Sequence, residues 1–131
     1  MITDVVELGH SWLHTFGEAE FDKFIGEIAE DFVLRVPFLP DGFPTEYRGR
    51  EAARAILEGS SANRSRIAFK DVVIRRTEDP ELIVITCRGE AAMNNGKPYC
   101  NDYVMFTRFR DGVAVEHVEY LNPLKVMAAA D

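Results

Sequence analysis

Cysteine is scarce: Cys87 and Cys100 are the two in a chain of 131 residues. A disulfide scaffold is therefore excluded, and no C-x-x-C pair offers a metal knuckle. Basic residues are outnumbered, 15 against 22 acids, for a formal net charge of -7. That balance argues against nucleic-acid and anionic-membrane partners, both of which need a basic footprint. No apolar run approaches the length of a bilayer span. The opening MITDVVELGH has neither a basic start nor a long apolar stretch, so no signal peptide is visible and a cytoplasmic location is expected. A phosphate loop, a nucleophile elbow and a dinucleotide fingerprint are also missing, and no cofactor is expected.

What remains is an ordinary globular composition, 47% hydrophobic and 28% charged, long enough for a single domain over residues 1–131. The first half reads helical. Val5, Leu8, Trp12, Leu13 and Phe16 form one stripe, with Thr3 as N-cap and Gly17 as stop. Phe21, Phe24, Ile25, Ile28 and Phe32 repeat the spacing and predict a second helix. A short strand, FVLRVPF, and the irregular loop LPDGFPTEYRG follow. REAARAILEGSSAN then predicts a third helix, with Ala53, Ile56 and Leu57 inward. From Asn63 the chain reads as strands parted by turns, among them Asn95-Gly96 and Asp111-Gly112, strong hairpin signals. Three N-terminal helices packed on a mostly antiparallel sheet make an α+β fold.

Hairpin registers assign faces. A two-residue turn at Asn95-Gly96 sets Glu90 opposite Asn101, Arg88 opposite Tyr103 and Thr86 opposite Met105. One face then carries Thr86, Arg88, Glu90, Asn101, Tyr103 and Met105, and the other Ile83, Ile85, Cys87, Val104 and Phe106. In this register Cys87 and Cys100 lie several rungs apart, too far to bridge. The Asp111-Gly112 hairpin admits two registers. A two-residue loop sets Glu119 against Val104. A three-residue loop with a glycine bulge sets His117 opposite Met105 and Glu119 opposite Tyr103. The bulge is favoured, because it joins His117 and Glu119 to the polar face and spares a lone carboxylate an apolar one. Helices over a curved polar face leave a pocket with apolar walls, and the apolar outer face suggests a homodimer.

The loop PFLPDGFP before YRGREA, and the ending YCNDYVMFTRFRDGVAVEHVEYLNP, resemble the nuclear-transport-factor-2-like superfamily, within it the SnoaL-like polyketide-cyclase and phenazine-biosynthesis branch. The resemblance spans essentially the whole chain. It implies a cone-shaped fold, a curved sheet around a small-molecule pocket, and dimers through the sheet. In the epoxide hydrolases of this fold, the acid before the aromatic of the last strand points into the pocket, and Glu119 before Tyr120 matches it. Asn101 and Tyr103 match the positions of their Arg and Asp, so the second acid is missing. Ketosteroid isomerases, more distantly similar, use a pocket carboxylate as base.

The residues allow rival roles. Glu119 is a general acid or base, or the partner of Arg88 in an ion pair. His117 is its proton partner or a pocket hydrogen-bond donor. Tyr103 polarises a carbonyl or fills core, and Asn101 orients ligand or satisfies backbone. Arg88 binds a substrate carboxylate or neutralises Glu90. Trp12, Phe16 and Met105 are expected to line the pocket, with Phe38 and Phe43 at its mouth. His10 and His14 share a helix face, but no third ligand has fitting spacing, so no metal is expected. The leading expectation is an isomerase, cyclase or dehydratase working by proton transfer. A non-catalytic binding protein and an interaction domain with a filled pocket are the rivals.

Overall fold

Helix α1, Val5–Glu18, forms where the apolar stripe predicts it, and buries Val5, Leu8, Trp12, Leu13 and Phe16. The computed structural model describes residues 4–130, so Thr3 lies outside the described residues. The cap is supplied by Asp4, whose carboxylate accepts the Glu7 N–H at 3.3 Å. Gly17 does not stop the helix; it ends at Ala19, in the left-handed conformation with φ 58.

The expected second helix is absent. Phe21–Lys23 is a single 3-10 turn, and Glu27–Arg35 is strand β1. The helix-like spacing has a different cause. Phe21 and Phe24 are buried by the turn, while Ile28 and Phe32, four apart, share a face of β1 because side chains alternate with period two. Ile25, the odd member of the pattern, is 49% exposed. Strand β2, Glu46–Arg48, and helix α2, Arg50–Ser61, follow, the helix burying Ala53 and Leu57.

Strands β3 (Ala68–Arg76), β4 (Leu82–Ala92), β5 (Pro98–Arg110) and β6 (Val113–Tyr120) form the meander. Helix α3, Pro123–Ala129, comes last, its N-cap Asn122 accepting the Leu124 N–H. The three α-helices are thus not all N-terminal: one closes the chain. The fold is α+β, with an open six-stranded mixed sheet in the order β2-β1-β6-β5-β4-β3, in which β1 runs parallel to β6. No helix among the described residues is long and apolar enough to cross a membrane.

Both hairpins depart from the expected register. Met93 N–H bonds Lys97 O at 2.9 Å, so the first loop holds three residues, with Gly96 at φ 88. The register therefore moves by one, and Cys87 faces Tyr103, Gly89 faces Asn101 and Ile85 faces Met105. The second hairpin is the tight two-residue turn, with Asp111 at φ 51 and Gly112 at φ 81. A bulge then appears inside β6. Phe109 pairs with Ala114 but Arg108 pairs with Glu116, leaving Val115 as the extra residue. Beyond it His117 faces Thr107 and Glu119 faces Met105. His117 and Glu119 do share a face with Met105, Tyr103 and Asn101, two residues along from the expected partners.

The inner face thus mixes apolar and polar residues from the start: Ile83, Ile85 and Cys87 stand beside Asn101, Tyr103, Met105, Thr107 and His117, all less than 9% exposed. Thr86, Arg88 and Glu90 fall on the outer face with Val104, Asp102 and Cys100. Gly89 serves the inner face directly. A Cβ there would lie 2.8 Å from Tyr103 Cε2 and 2.9 Å from Ile67 Cγ2, so the tyrosine ring needs a glycine opposite it.

Candidate functional site

Two zones lie between the helices and the inner face. The first is packed solid. Trp12 is fully buried, and its indole lies within 6.2 Å, ring centre to ring centre, of Phe16, Phe21, Phe24, Phe32, Phe109 and His117. The second is a cavity of about 450 Å³, within the range of small-molecule sites. Its apolar lining includes Phe16, Leu34, Val36, Ile56, Leu57 and Val126, and Phe43, 56% exposed, stands at its edge. Its polar lining includes Tyr47, Asn63, Arg64, Tyr99, Tyr103 and Glu119.

Strand β6 links the zones through His117 and Glu119. Trp12 Nε1–H donates to His117 Nδ1 at 3.0 Å. An indole nitrogen only donates, so Nδ1 must accept, and neutral His117 carries its proton on Nε2. That atom faces Glu119 Oε1 at 3.5 Å. Thr107 Oγ1 also sits 2.8 Å from Nδ1, and Phe16 stacks on the imidazole at 4.6 Å. The ring is fixed from both sides, and its N–H points at the carboxylate that lines the cavity. Glu119 keeps 14% of its side chain exposed, whereas His117 keeps none.

A second chain of hydrogen bonds holds the tyrosines. Asn101, 2% exposed, accepts from Asn122 N–H at 3.0 Å and donates to Asn122 O and to Tyr99 Oη, each at 3.0 Å. Tyr99 and Tyr103 hydroxyls lie 2.6 Å apart. Whichever of the two donates, one proton is used between them, leaving one for a ligand. Burial, the leading cause for both, holds both phenols above their ordinary titration range, so both stay protonated. Tyr47 Oη is buried and has no hydrogen-bond partner among the described residues. Burial pulls the Arg64 guanidinium below its usual range, while Tyr103, Tyr99 and Glu119 pull the other way.

The residues singled out from sequence are therefore distributed over several places. Glu119, Tyr103, Phe16 and Phe43 line the cavity. Trp12, Met105 and His117 form the layer behind it, and Asn101 spends its amide on Tyr99 and Asn122 rather than on open space. Phe38 does not rim the mouth; it is 56% exposed and packs edge-on against Tyr120 at 5.1 Å. Arg88 lies on the opposite face from Glu119, with its Nε on Cys100 Sγ at 3.0 Å, so it cannot hold Glu119. Glu90 pairs instead with Lys70 at 3.2 Å. His10 and His14 are exposed, outside the cavity, and no group of three metal-type ligands occurs among the described residues.

Arg64, Tyr47 and Tyr99 are missed from sequence. Tyr99 could have been found, since period two puts it on the face of Asn101 and Tyr103. Arg64 carries no local signal. It sits just beyond α2 and reaches the cavity through an isolated bridge to Met93.

The model of the SnoaL-like domain matches residues 10–117. An uncharacterised PhzA/B-like protein of Pseudomonas aeruginosa is 31% identical over 99 residues, covering 74% of this chain and 69% of that one. A candidate isomerase from Bacillus subtilis superposes with a TM-score of 0.84 at 19% identity, over 98% of this chain and 95% of that one. A candidate polyketide cyclase from Xanthomonas campestris gives 0.81 at 18% identity, over 96% of each chain. At these identities the two structures speak for the fold alone.

Proposed function

The chain belongs to the SnoaL-like family, and on that premise we propose that it is a small-molecule enzyme working by proton transfer, with Glu119 as the acid and base. The observation that carries this reading is the pairing of Glu119 with a histidine whose proton is directed by Trp12. A carboxylate at an apolar wall, steadied by one N–H, is placed to take a proton from a carbon beside a carbonyl. The electrons left behind move to the carbonyl oxygen. The spare phenol proton of the Tyr99–Tyr103 pair then hydrogen-bonds that oxygen. Return of the proton to another carbon gives an isomerisation; attack of the carbanion on a second carbonyl gives a cyclisation. His117 acts as a positioning residue, since its Nδ1 is occupied by Trp12. The cone-like enclosure of the cavity belongs to the same reading.

The test is solvent-deuterium exchange into a panel of apolar ketones and β-dicarbonyl compounds, followed by NMR. Glu119→Gln should slow enzyme-dependent exchange by about 10²-fold or more while ligand binding persists. Unchanged exchange in that variant would sink the assignment. Ligands that bind wild type without exchange would select the non-catalytic binding protein, which the single carboxylate in the cavity lining also suits.

The outer sheet face is assigned to a homodimer. It exposes Val73 at 42% and Val104 at 40%, beside Phe106, Val118 and Tyr120. Light scattering should give twice the chain mass, and Val104→Asp should halve it; a monomeric wild type removes the assignment.

A further inference from the structure

Arg64 is the cation in the described lining of the cavity and forms no ion pair among the described residues. Eight other arginines, Arg35, Arg48, Arg50, Arg54, Arg66, Arg76, Arg108 and Arg110, each reach a carboxylate. The two besides Arg64 that form no ion pair among the described residues, Arg75 and Arg88, are exposed and rest on Thr86 and Cys100. Arg64 is half-buried in the lining, and the hydrogen bond it makes runs from Nη1 to the backbone oxygen of its neighbour Ser65 at 3.0 Å. A guanidinium carries five N–H donors in a planar fork, and among the described residues this one bonds Ser65 O alone, which leaves donors for a ligand in the cavity it lines. Withdrawing a charge from water without a partner is costly, and that cost is repaid when a bound anion supplies the partner.

The rest of the polar lining has the same bias. Tyr47 offers an unpartnered hydroxyl, and the Tyr99–Tyr103 pair one spare proton. Against these donors stands one charged acceptor, Glu119. Such a site favours a ligand whose polar part is rich in oxygen and carries negative charge. The charge count limits it further. With Glu119 counted, a bound carboxylate sets two negative charges against the one guanidinium, whereas a phosphate dianion would set three against it. Away from Arg64 the walls are Leu34, Val36, Ile56, Leu57 and Val126, which suit a hydrocarbon body.

We infer that the cavity takes a carboxylate-bearing, otherwise apolar molecule, held by its carboxylate on Arg64 with its body along the apolar wall. This rests on the cavity being the substrate site of the proposed function, and names the substrate class. The fork of Arg64 fits the two carboxylate oxygens side by side. Glu119 is then left for the carbon chemistry.

The test is calorimetric titration with a matched pair, 2-naphthoate and 2-naphthamide, at pH 7.5. Wild type should prefer naphthoate by about tenfold or more, the range of a charge-assisted hydrogen-bonded pair. Arg64→Met should abolish the preference and leave naphthamide affinity within about twofold, and Arg64→Lys should restore part of it. Equal affinity of wild type for acid and amide overturns the carboxylate assignment while leaving the cavity as a binding site. A preference that survives Arg64→Met overturns it also. Binding of neither compound overturns both the assignment and the cavity reading. The wild-type comparison needs no variant, so a misfolded Arg64→Met protein would not shelter the proposal.

Discussion

The two zones under the sheet are built from the same strands and the same helix, yet they treat polar groups in opposite ways. Around Trp12 every polar atom is spent: the indole N–H and the Thr107 hydroxyl both meet His117 Nδ1. In the cavity, polar atoms are left over: the Tyr47 hydroxyl, one phenol proton and most of the Arg64 fork. A buried polar group without a partner costs about 1–3 kcal/mol, so a chain that fills one zone could have filled the other. The packed zone lies between α1 and the middle of the sheet, where aromatic rings can close every gap. The cavity is lined by Phe16 of α1, Ile56 and Leu57 of α2 and Val126 of α3, together with residues of the strands, and these side chains leave space between them. On the proposed function, stability is concentrated in the first zone and ligand binding in the second.

Breaking the packed zone should have the largest effect. Trp12→Ala removes the hub of the aromatic cluster and the donor that fixes His117, and should cost about 3–5 kcal/mol in urea unfolding. Glu119→Gln, two residues from His117 but inside the cavity, should stay within about 1 kcal/mol of wild type while losing exchange activity. Similar losses for the two variants would erase the distinction. A smaller, pH-dependent effect concerns Cys87, which lies on the inner face opposite Tyr103. Burial pushes its thiol up from 9.0 to about 12. Iodoacetamide at pH 8 should therefore modify Cys100 and spare Cys87 until the protein unfolds. The folded chain holds the Cys87 proton where the unfolded chain releases it, so this group's contribution is complete below pH 9.0 and declines as pH rises toward about 12. Fast labelling of Cys87 in the native state would contradict its burial. The smallest effect is expected at Arg88. Arg88→Ala should change stability by less than about 0.5 kcal/mol and leave naphthoate binding as it is. A marked loss of binding would return Arg88 to the inner face.

The packed zone was the more legible of the two. Helical spacing picks out Val5, Leu8, Trp12 and Phe16 because nothing interrupts the period of α1. The same reasoning failed at Phe21–Phe32, where a short turn followed by the two-residue alternation of a strand reproduces a helix-like spacing. The face of Glu119 came out correctly by an incorrect route. The cost of stranding its charge pointed inward, but the bulge that turns it lies at Val115, inside the strand and not in the loop. The partner assigned to it, Arg88, was wrong because one extra residue in the Asn95-Gly96 loop turns every side chain of β4 over relative to β5. Arg64 was invisible, since its place in the same cavity as Glu119 depends on how whole elements meet.

Val115 has a wider consequence. Period two makes a strand a binary device, and one inserted residue inverts its output. Were Val115 threaded into the regular ladder opposite Arg108, β6 would send Glu116, Val118 and Tyr120 inward and turn His117 and Glu119 to the outer face, with the composition of the protein untouched. Deleting Val115 would instead leave Glu116 opposite Arg108 and His117 opposite Thr107, a regular ladder with Glu119 still inward. A relative that keeps the extra residue but pairs it in the ladder would carry different chemistry on the same scaffold, whatever its overall sequence identity.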